Sequence, residues 1–327
     1  MTTWQSRWIV LPDHFRGGVW MLLYAASFAV MGAMVHLLGR DLPTIQIIFL
    51  RGLLGLIWLL PYLAWRRFSD LSTGNFRLHL WRGLASMITM SVTFFAYSTL
   101  PLADVVALSF TTPLYLMFFA VWLLKERLSQ KHLMAALVGF GGILVTVRPG
   151  FSSFDPLILF AVVSPVLIAL VQLLIKHMIR SEGIITIITW FSLSIILFSA
   201  PAAWWYWEPI PVDRWPLLLA MGGLATLVQI TISQAYLVAD AVAVTPYEYS
   251  RLLFAGILGF LFFDEHPDVF SLIGASAILG ANFFLIWLAW NDCSILPKPS
   301  CLCGNVTSQR RDKRSESCQD SKNLNIE

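Results

Sequence analysis

Glu248 and Arg251 stand three residues apart inside the otherwise apolar stretch Ala241–Phe263. On a helix that spacing puts both on one face. Removal from water opposes the charge of Glu248, and the neighbouring guanidinium favours it, so the carboxylate suits proton exchange. Protonation would release Arg251 for an anion and couple proton movement to a substrate. A fixed pair that locks the segment to its neighbour uses the same two residues. Arg51 interrupts a second apolar stretch, Leu42–Trp65. It lies roughly 10 Å from the start of that stretch, at 1.5 Å per helical residue. A charge at the centre of a membrane helix costs about 2.5–3.5 kcal/mol, so Arg51 must face protein, water or headgroups. Either it pairs with an anionic part of a substrate, or it binds neighbouring carbonyls or snorkels outward.

Pro246 precedes Glu248 by two residues and removes a backbone donor. The carbonyl set free can bind a substrate or coupling ion, as broken helices do in transporters. The alternative is a kink satisfied by Thr245 or water. Pro113, after Thr111-Thr112, and Pro165 pose the same choice. Tyr97, Tyr115, Tyr236, Tyr247 and Tyr249 each combine a ring with a hydroxyl. In a cavity they stack on and orient a planar substrate; near helix ends they anchor the interface. Trp204, Trp205, Trp207 and Trp215 form such a belt. Gln172, Gln229, Gln234 and Asn282 either line a pathway or join helices by hydrogen bonds. His36, near the end of the first apolar stretch, reads as a packing residue. Glu126 and Glu265 sit at turns and read as caps or links to nearby bases.

The chain contains no Walker A run, H-E-x-x-H or G-x-S-x-G, and its His residues do not cluster at metal-ligand spacing. No cofactor, metal or catalytic residue is expected, and the chain is read as no enzyme.

The elements that must hold these residues follow from composition. Of 327 residues, 57% are apolar and only 13% are Asp, Glu, Lys or Arg; mean hydropathy is +0.72. Soluble domains run near 25% charged, so there is too little polar surface for a soluble enzyme or a nucleic-acid binder. All four Cys lie in the last 35 residues, which excludes a disulfide framework for the apolar body. A membrane helix takes about 20 apolar residues. Seven windows qualify without an Asp, Glu, Lys or Arg: Gly17–Gly39, Gly83–Ala103, Val105–Leu124, Pro156–Ile175, Gly183–Trp207, Trp215–Ala239 and Val269–Asn291. Leu42–Trp65, His132–Val147 and Ala241–Phe263 complete ten spans. Their apolar runs do not alternate, which argues against an outer-membrane barrel. The first window exceeds a signal-peptide core and reads as an uncleaved helix.

One set of loops collects Arg7, Arg16, Arg66, Arg67, Arg77, Lys125, Arg127, Lys131, Lys176 and Arg180; the other holds only Arg40, Arg148 and Arg214. The positive-inside rule then puts both termini in the cytoplasm. The sequence also repeats. At a shift of 139 residues, Ala96-Tyr97 falls on Ala235-Tyr236, Glu126 on Glu265, Gly83 on Gly222 and Gly141 on Gly280. Small changes of offset bring Pro61 onto Pro201 and Leu37-Leu38 with Arg40 onto Leu173-Leu174 with Lys176. Five helices per half is odd, so the halves enter the membrane from opposite sides, as in many secondary transporters. The expected layout is residues 1–16 as a cytoplasmic segment, 17–150 and 154–291 as the two halves, and 292–327 as a polar, disordered cytoplasmic tail. Arg310-Arg311-Asp312-Lys313-Arg314 in that tail suits anionic lipid.

The stretches around Pro113, Glu126 and Gly139-Gly141-Gly142, and around Glu265 and Gly280, resemble the EamA-type repeat of the drug/metabolite transporter superfamily. Pro246 is displaced from the position matching Pro113, where Leu252 stands. The resemblance covers about residues 17–290. It implies an all-α integral membrane protein of ten transmembrane helices, a 5+5 inverted-topology repeat, in a bacterial inner membrane. It also implies alternating access, with a site lined by the third, fourth, eighth and ninth spans. Members move amino acids, nucleotide-like metabolites, vitamins, amines or drugs. Arg51-Gly52 and Arg82-Gly83 are similar to dipeptides of members assigned to S-adenosylmethionine or riboflavin uptake. The expected partners are therefore a small-molecule substrate and the lipid bilayer, without nucleic acid; a homodimer is compatible. A membrane enzyme, or a channel or partner protein that does not transport, remains the alternative.

Overall fold

In a computed structural model of the chain, residues 12–39, 41–66, 71–99, 108–147, 158–263 and 269–295 are described. Among them there is no strand. Helices satisfy every backbone polar group within one segment, which a hydrocarbon environment demands. The helices are α1 (Asp13–Leu38), α2 (Thr44–Trp65), α3 (Phe76–Thr99), α4 (Thr112–Leu124), α5 (Gln130–Val147), α6 (Ile158–Met178), α7 (Ile184–Trp205), α8 (Trp215–Val238), α9 (Ala241–Val244), α10 (Ser250–Phe263) and α11 (Val269–Ile295). Among the described residues, four stretches are long and apolar enough to cross a membrane: Asp13–Val35, Thr44–Trp65, Ile184–Trp205 and Val212–Val238. Thr112–Leu124, Val162–Met178 and Leu272–Leu288 are shorter apolar helices.

The helices pack as α1 on α8, α2 on α7 and α8, α3 on α6 and α7, α4 on α6, α10 on α1, and α5 on α11. Lipid tails are as apolar as these side chains, so association rests on close packing and hydrogen bonds. Small residues permit both. A β-carbon on Gly222 would lie 2.5 Å from Leu54 Cβ and 3.1 Å from the Gly55 nitrogen. Beside it, Thr226 donates to the Gly55 carbonyl at 3.0 Å, and Trp58 Nε1 donates to the Leu219 carbonyl at 2.9 Å.

Helix ends follow from local chemistry. Pro12 and Pro43 precede α1 and α2. Pro113 lies in the first turn of α4, where its missing donor leaves no helical bond unmade. It is therefore an initiator of α4 and not a mid-helix kink. The expected span Ala241–Phe263 is divided: α9 passes into a 3₁₀ turn, Thr245–Tyr249, and then into α10. Pro246 opens that turn, and Thr245 Oγ1 donates back to the Ala241 carbonyl at 2.6 Å. Residues 241–250 are all buried, so an irregular backbone lies inside protein, where membranes tolerate it. Expectations for Arg40, Glu265 and the Cys-containing tail fall outside the described residues, as does the side chain of Tyr97.

Candidate functional site

The 3₁₀ turn carries Glu248 in a wholly buried stretch. Its side chain is 2% exposed. Gln172, from α6, donates from Nε2 to Glu248 Oε1 at 3.3 Å and accepts from the Tyr236 hydroxyl of α8 at 3.2 Å. Arg251 Nη1 lies 3.9 Å from Glu248 Oε1. The Arg251 guanidinium is sandwiched between two rings, 4.9 Å from the centroid of Phe28 and 4.8 Å from that of Phe110. Aromatic faces attract a desolvated cation, so the rings hold Arg251 without neutralising it. Glu248 Oε2 is buried with no hydrogen-bond partner among the described residues. Tyr24, on α1, lies within electrostatic reach of Glu248, Arg251 and Arg51.

Three sequence candidates, Tyr236, Glu248 and Arg251, thus meet in one cluster with Gln172. Tyr247 and Tyr249 are buried beside it. Tyr247 lies against Gly18 of α1, where an added β-carbon would come 3.0 Å from its ring. Tyr249 packs on Gly139 of α5 and lies 6.5 Å, ring to ring, from Phe110. Tyr115 is half-buried against the apolar core. Arg51 and Arg82 are brought together elsewhere: Arg82 donates to Gln229 at 3.2 Å, and Arg51 and Gln229 line one cavity with residues of α2, α7 and α8.

Sequence reasoning missed Tyr24, Phe28, Phe110 and Lys176. The first three look like any aromatic residue in an apolar span. Lys176 counts as a loop cation by position, yet it is 6% exposed near the end of α6. Its ammonium donates to the carbonyls of Tyr236 and Ala239 at 2.8 and 2.6 Å and lies 3.7 Å from Glu126 Oε1. Glu126 Oε2 accepts from the Val242 nitrogen at 3.0 Å. One ion pair therefore satisfies orphan carbonyls ending α8 and an orphan donor starting α9. Lys125, the left-handed residue at φ 56° ending α4, turns the chain so that Glu126 points inward. The opposite end is joined by Arg214 to Asp41 at 2.7 Å, and by Gln46, which donates to the Glu208 carbonyl at 2.8 Å and accepts from its nitrogen at 3.0 Å.

Known proteins match this chain along most of its length. The profile of the EamA-like transporter family matches residues 15–148 and again 156–287. An S-adenosylmethionine uptake transporter of Rickettsia bellii is 28% identical over 277 residues, 85% of this chain and 95% of the relative. A riboflavin transporter of Brucella anthropi is 27% identical over 276 residues, 81% of this chain and 96% of the relative. The pseudopaline exporter CntI of Pseudomonas aeruginosa is 28% identical over 273 residues, 82% of this chain and 95% of the relative. A solved crystal structure shares the fold at TM-score 0.70 and 20% identity, covering 85% of this chain and 98% of the other.

Proposed function

The chain belongs to the EamA-like transporter family, and from that premise we propose a ten-helix secondary transporter working by alternating access. It is a multi-pass protein of a bacterial inner membrane that moves a small molecule. The proposed layout is two inverted five-helix halves, residues 17–150 and 154–291, with both termini cytoplasmic. The packing supports it. Let α9, the 3₁₀ turn and α10 count as one broken span, and exchange the halves. Then α1 on α8 becomes α6 on α3, α2 on α8 becomes α7 on α3, and α10 on α1 becomes α4 on α6. The pairs α2 on α7 and α5 on α11 map onto themselves. The most extensive packing pairs each have a counterpart, as a two-fold relation between halves requires; the smaller α7–α8 contact has none of like extent among the described residues.

The observation that carries the functional reading is the buried Glu248 cluster. Gln172, Tyr236, Glu248 and Arg251 come from the second half; Tyr24, Phe28 and Phe110 come from the first. A polar site at the repeat interface, on a broken helix, is where such transporters bind substrate. The unpartnered oxygen of Glu248 fits proton coupling: a proton taken up there weakens its hold on Arg251. Arg51, Arg82, Tyr247 and Pro246 complete the proposed lining. The relatives are named for S-adenosylmethionine, riboflavin and pseudopaline, so these classes come first in a test.

Purified protein in liposomes should take up one of these compounds saturably, faster under an imposed pH gradient. Saturable uptake that ignores the gradient removes the coupling role from Glu248. Absence of uptake of the whole set, with a folded protein, removes the reading.

A further inference from the structure

The Glu248–Arg251 pair accounts for its own charge. Two other cations, Arg82 buried and Arg51 half-buried, do not. Arg82 is 1% exposed. It donates to the Ile187 carbonyl at 3.1 Å and to Gln229 Oε1 at 3.2 Å, and its guanidinium lies 4.5 Å from the centroid of Phe191. All of these partners are neutral, and its Nε has none among the described residues. Arg51 makes no hydrogen bond or ion pair to another described residue. It faces a cavity of about 20 Å³ shared with Ser192, Thr226 and Gln229. A space of that size holds about one water or one oxygen of an acid group. No carboxylate comes within ion-pair distance of either arginine among the described residues. Buried charge is ordinarily paired, so this compartment lacks an anion.

We propose that Arg51, with Arg82 and Gln229 behind it, receives the carboxylate of the substrate, whose cationic group meets Glu248. The substrate class is then an amino-acid-like zwitterion with an apolar or planar body. The inference rests on the central-site reading above and names its substrate. Tyr24 connects the poles, being within electrostatic reach of Arg51 on one side and of Glu248 on the other. Its ring is a surface on which such a body can lie. Arg51 presents a fork of donors that matches a carboxylate. Arg82 is a positioning residue: its bond fixes the Gln229 carbonyl oxygen and leaves the Gln229 amide donors for the incoming acid. Gly52 and Gly55 let α2 approach α7 and α8, as an added β-carbon would lie 3.2 Å from Ile195 Cγ2 and 3.3 Å from Thr226 Oγ1 respectively. That closeness holds Arg51 at the cavity.

The test is binding to the full chain in detergent, read by tryptophan fluorescence and by thermal shift. The probes are acid–amine pairs: S-adenosylmethionine with its decarboxylated form, and L-methionine with 3-(methylthio)propylamine. Sodium chloride serves as a simple anion. In at least one pair the acid should bind about tenfold or more tightly than the amine, since a charge-assisted carboxylate contact is lost. In Arg51→Gln the pair should bind alike, and Arg51→Lys should restore part of the preference. Equal binding of acid and amine in both pairs, binding of none of them, or equal loss of both in Arg51→Gln overturns the proposal. So does displacement of the acids by chloride alone at physiological concentration. If Arg51→Gln does not fold, the wild-type pairs and Arg51→Lys decide. Acid-selective binding without uptake removes the transport reading and leaves this subsite. Uptake of riboflavin with no acid preference removes the subsite and leaves the transporter.

Discussion

Glu126→Gln should destabilise the protein by about 3 kcal/mol, the lower end for stranding one member of a buried ion pair. Glu126 and Lys176 are 4% and 7% exposed at the side chain, so solvent screens them little. Glutamine keeps the shape and an oxygen for the Val242 nitrogen, while the charge facing Lys176 disappears. The carbonyls of Tyr236 and Ala239 still hold the ammonium, which keeps the loss from being larger. Lys176→Met removes both carbonyl bonds, about 1 kcal/mol each, and strands Glu126, for a total of about 5 kcal/mol, the upper end for breaking a buried pair. The double variant Glu126→Gln/Lys176→Met strands neither charge. It should therefore fall short of the sum of the single losses by about 2 kcal/mol or more. Equilibrium unfolding in mixed micelles, followed by circular dichroism, gives all three values. Additivity within about 0.5 kcal/mol, or a Glu126→Gln loss of that size, would refute the claim that this pair welds the α8–α9 junction.

Gly274→Ala should cost about 3 kcal/mol or more, at or above the usual range for overpacking. Its new β-carbon would overlap Thr146 Oγ1 and the Gly142 carbonyl, and backbone cannot rotate away; unfolding in the same micelles measures it. Gln172→Leu removes the donor to Glu248 and the acceptor for Tyr236, so uptake should fall at least tenfold with about 2 kcal/mol of stability. Arg214→Ala breaks a pair 34% and 32% exposed, and should cost no more than about 1 kcal/mol, vanishing at high salt. With the native cysteines replaced by serine, Lys125→Cys should react with an impermeant maleimide only from the cytoplasm and Val212→Cys only from outside. The reverse pattern contradicts the proposed orientation.

Composition made the membrane class legible, because a 13% charged chain cannot cover itself in water, and long apolar runs without alternation made it helical. Boundaries were less legible. The third span was expected to open at Gly83, since the charge-free window stops at Arg82. The helix starts at Phe76, and Arg82 is buried because Ile187 and Gln229 accept from it. No sequence pattern announces those distant acceptors. Pro246 did signal an interruption in the ninth span, though not the buried 3₁₀ turn that holds Glu248. The pairing of Glu248 with Arg251 followed from spacing; Gln172 was one of four equivalent amides until α6, α8 and the 3₁₀ turn were placed. Lys176 was misread as a loop residue because it follows the apolar run of α6. Its partners come from the distant α4–α5 turn and the end of α8.

The central claim is that Glu248 couples a site between the two halves to protons. Its most direct test is initial uptake by liposomes carrying wild-type protein or Glu248→Gln, with and without a pH gradient. The compound used is whichever the wild type transports. Wild-type uptake should be saturable and accelerated by the gradient. Glu248→Gln, folded equally well, should still exchange substrate across the membrane but lose that acceleration. Gradient-driven uptake by Glu248→Gln at the wild-type rate would contradict the claim.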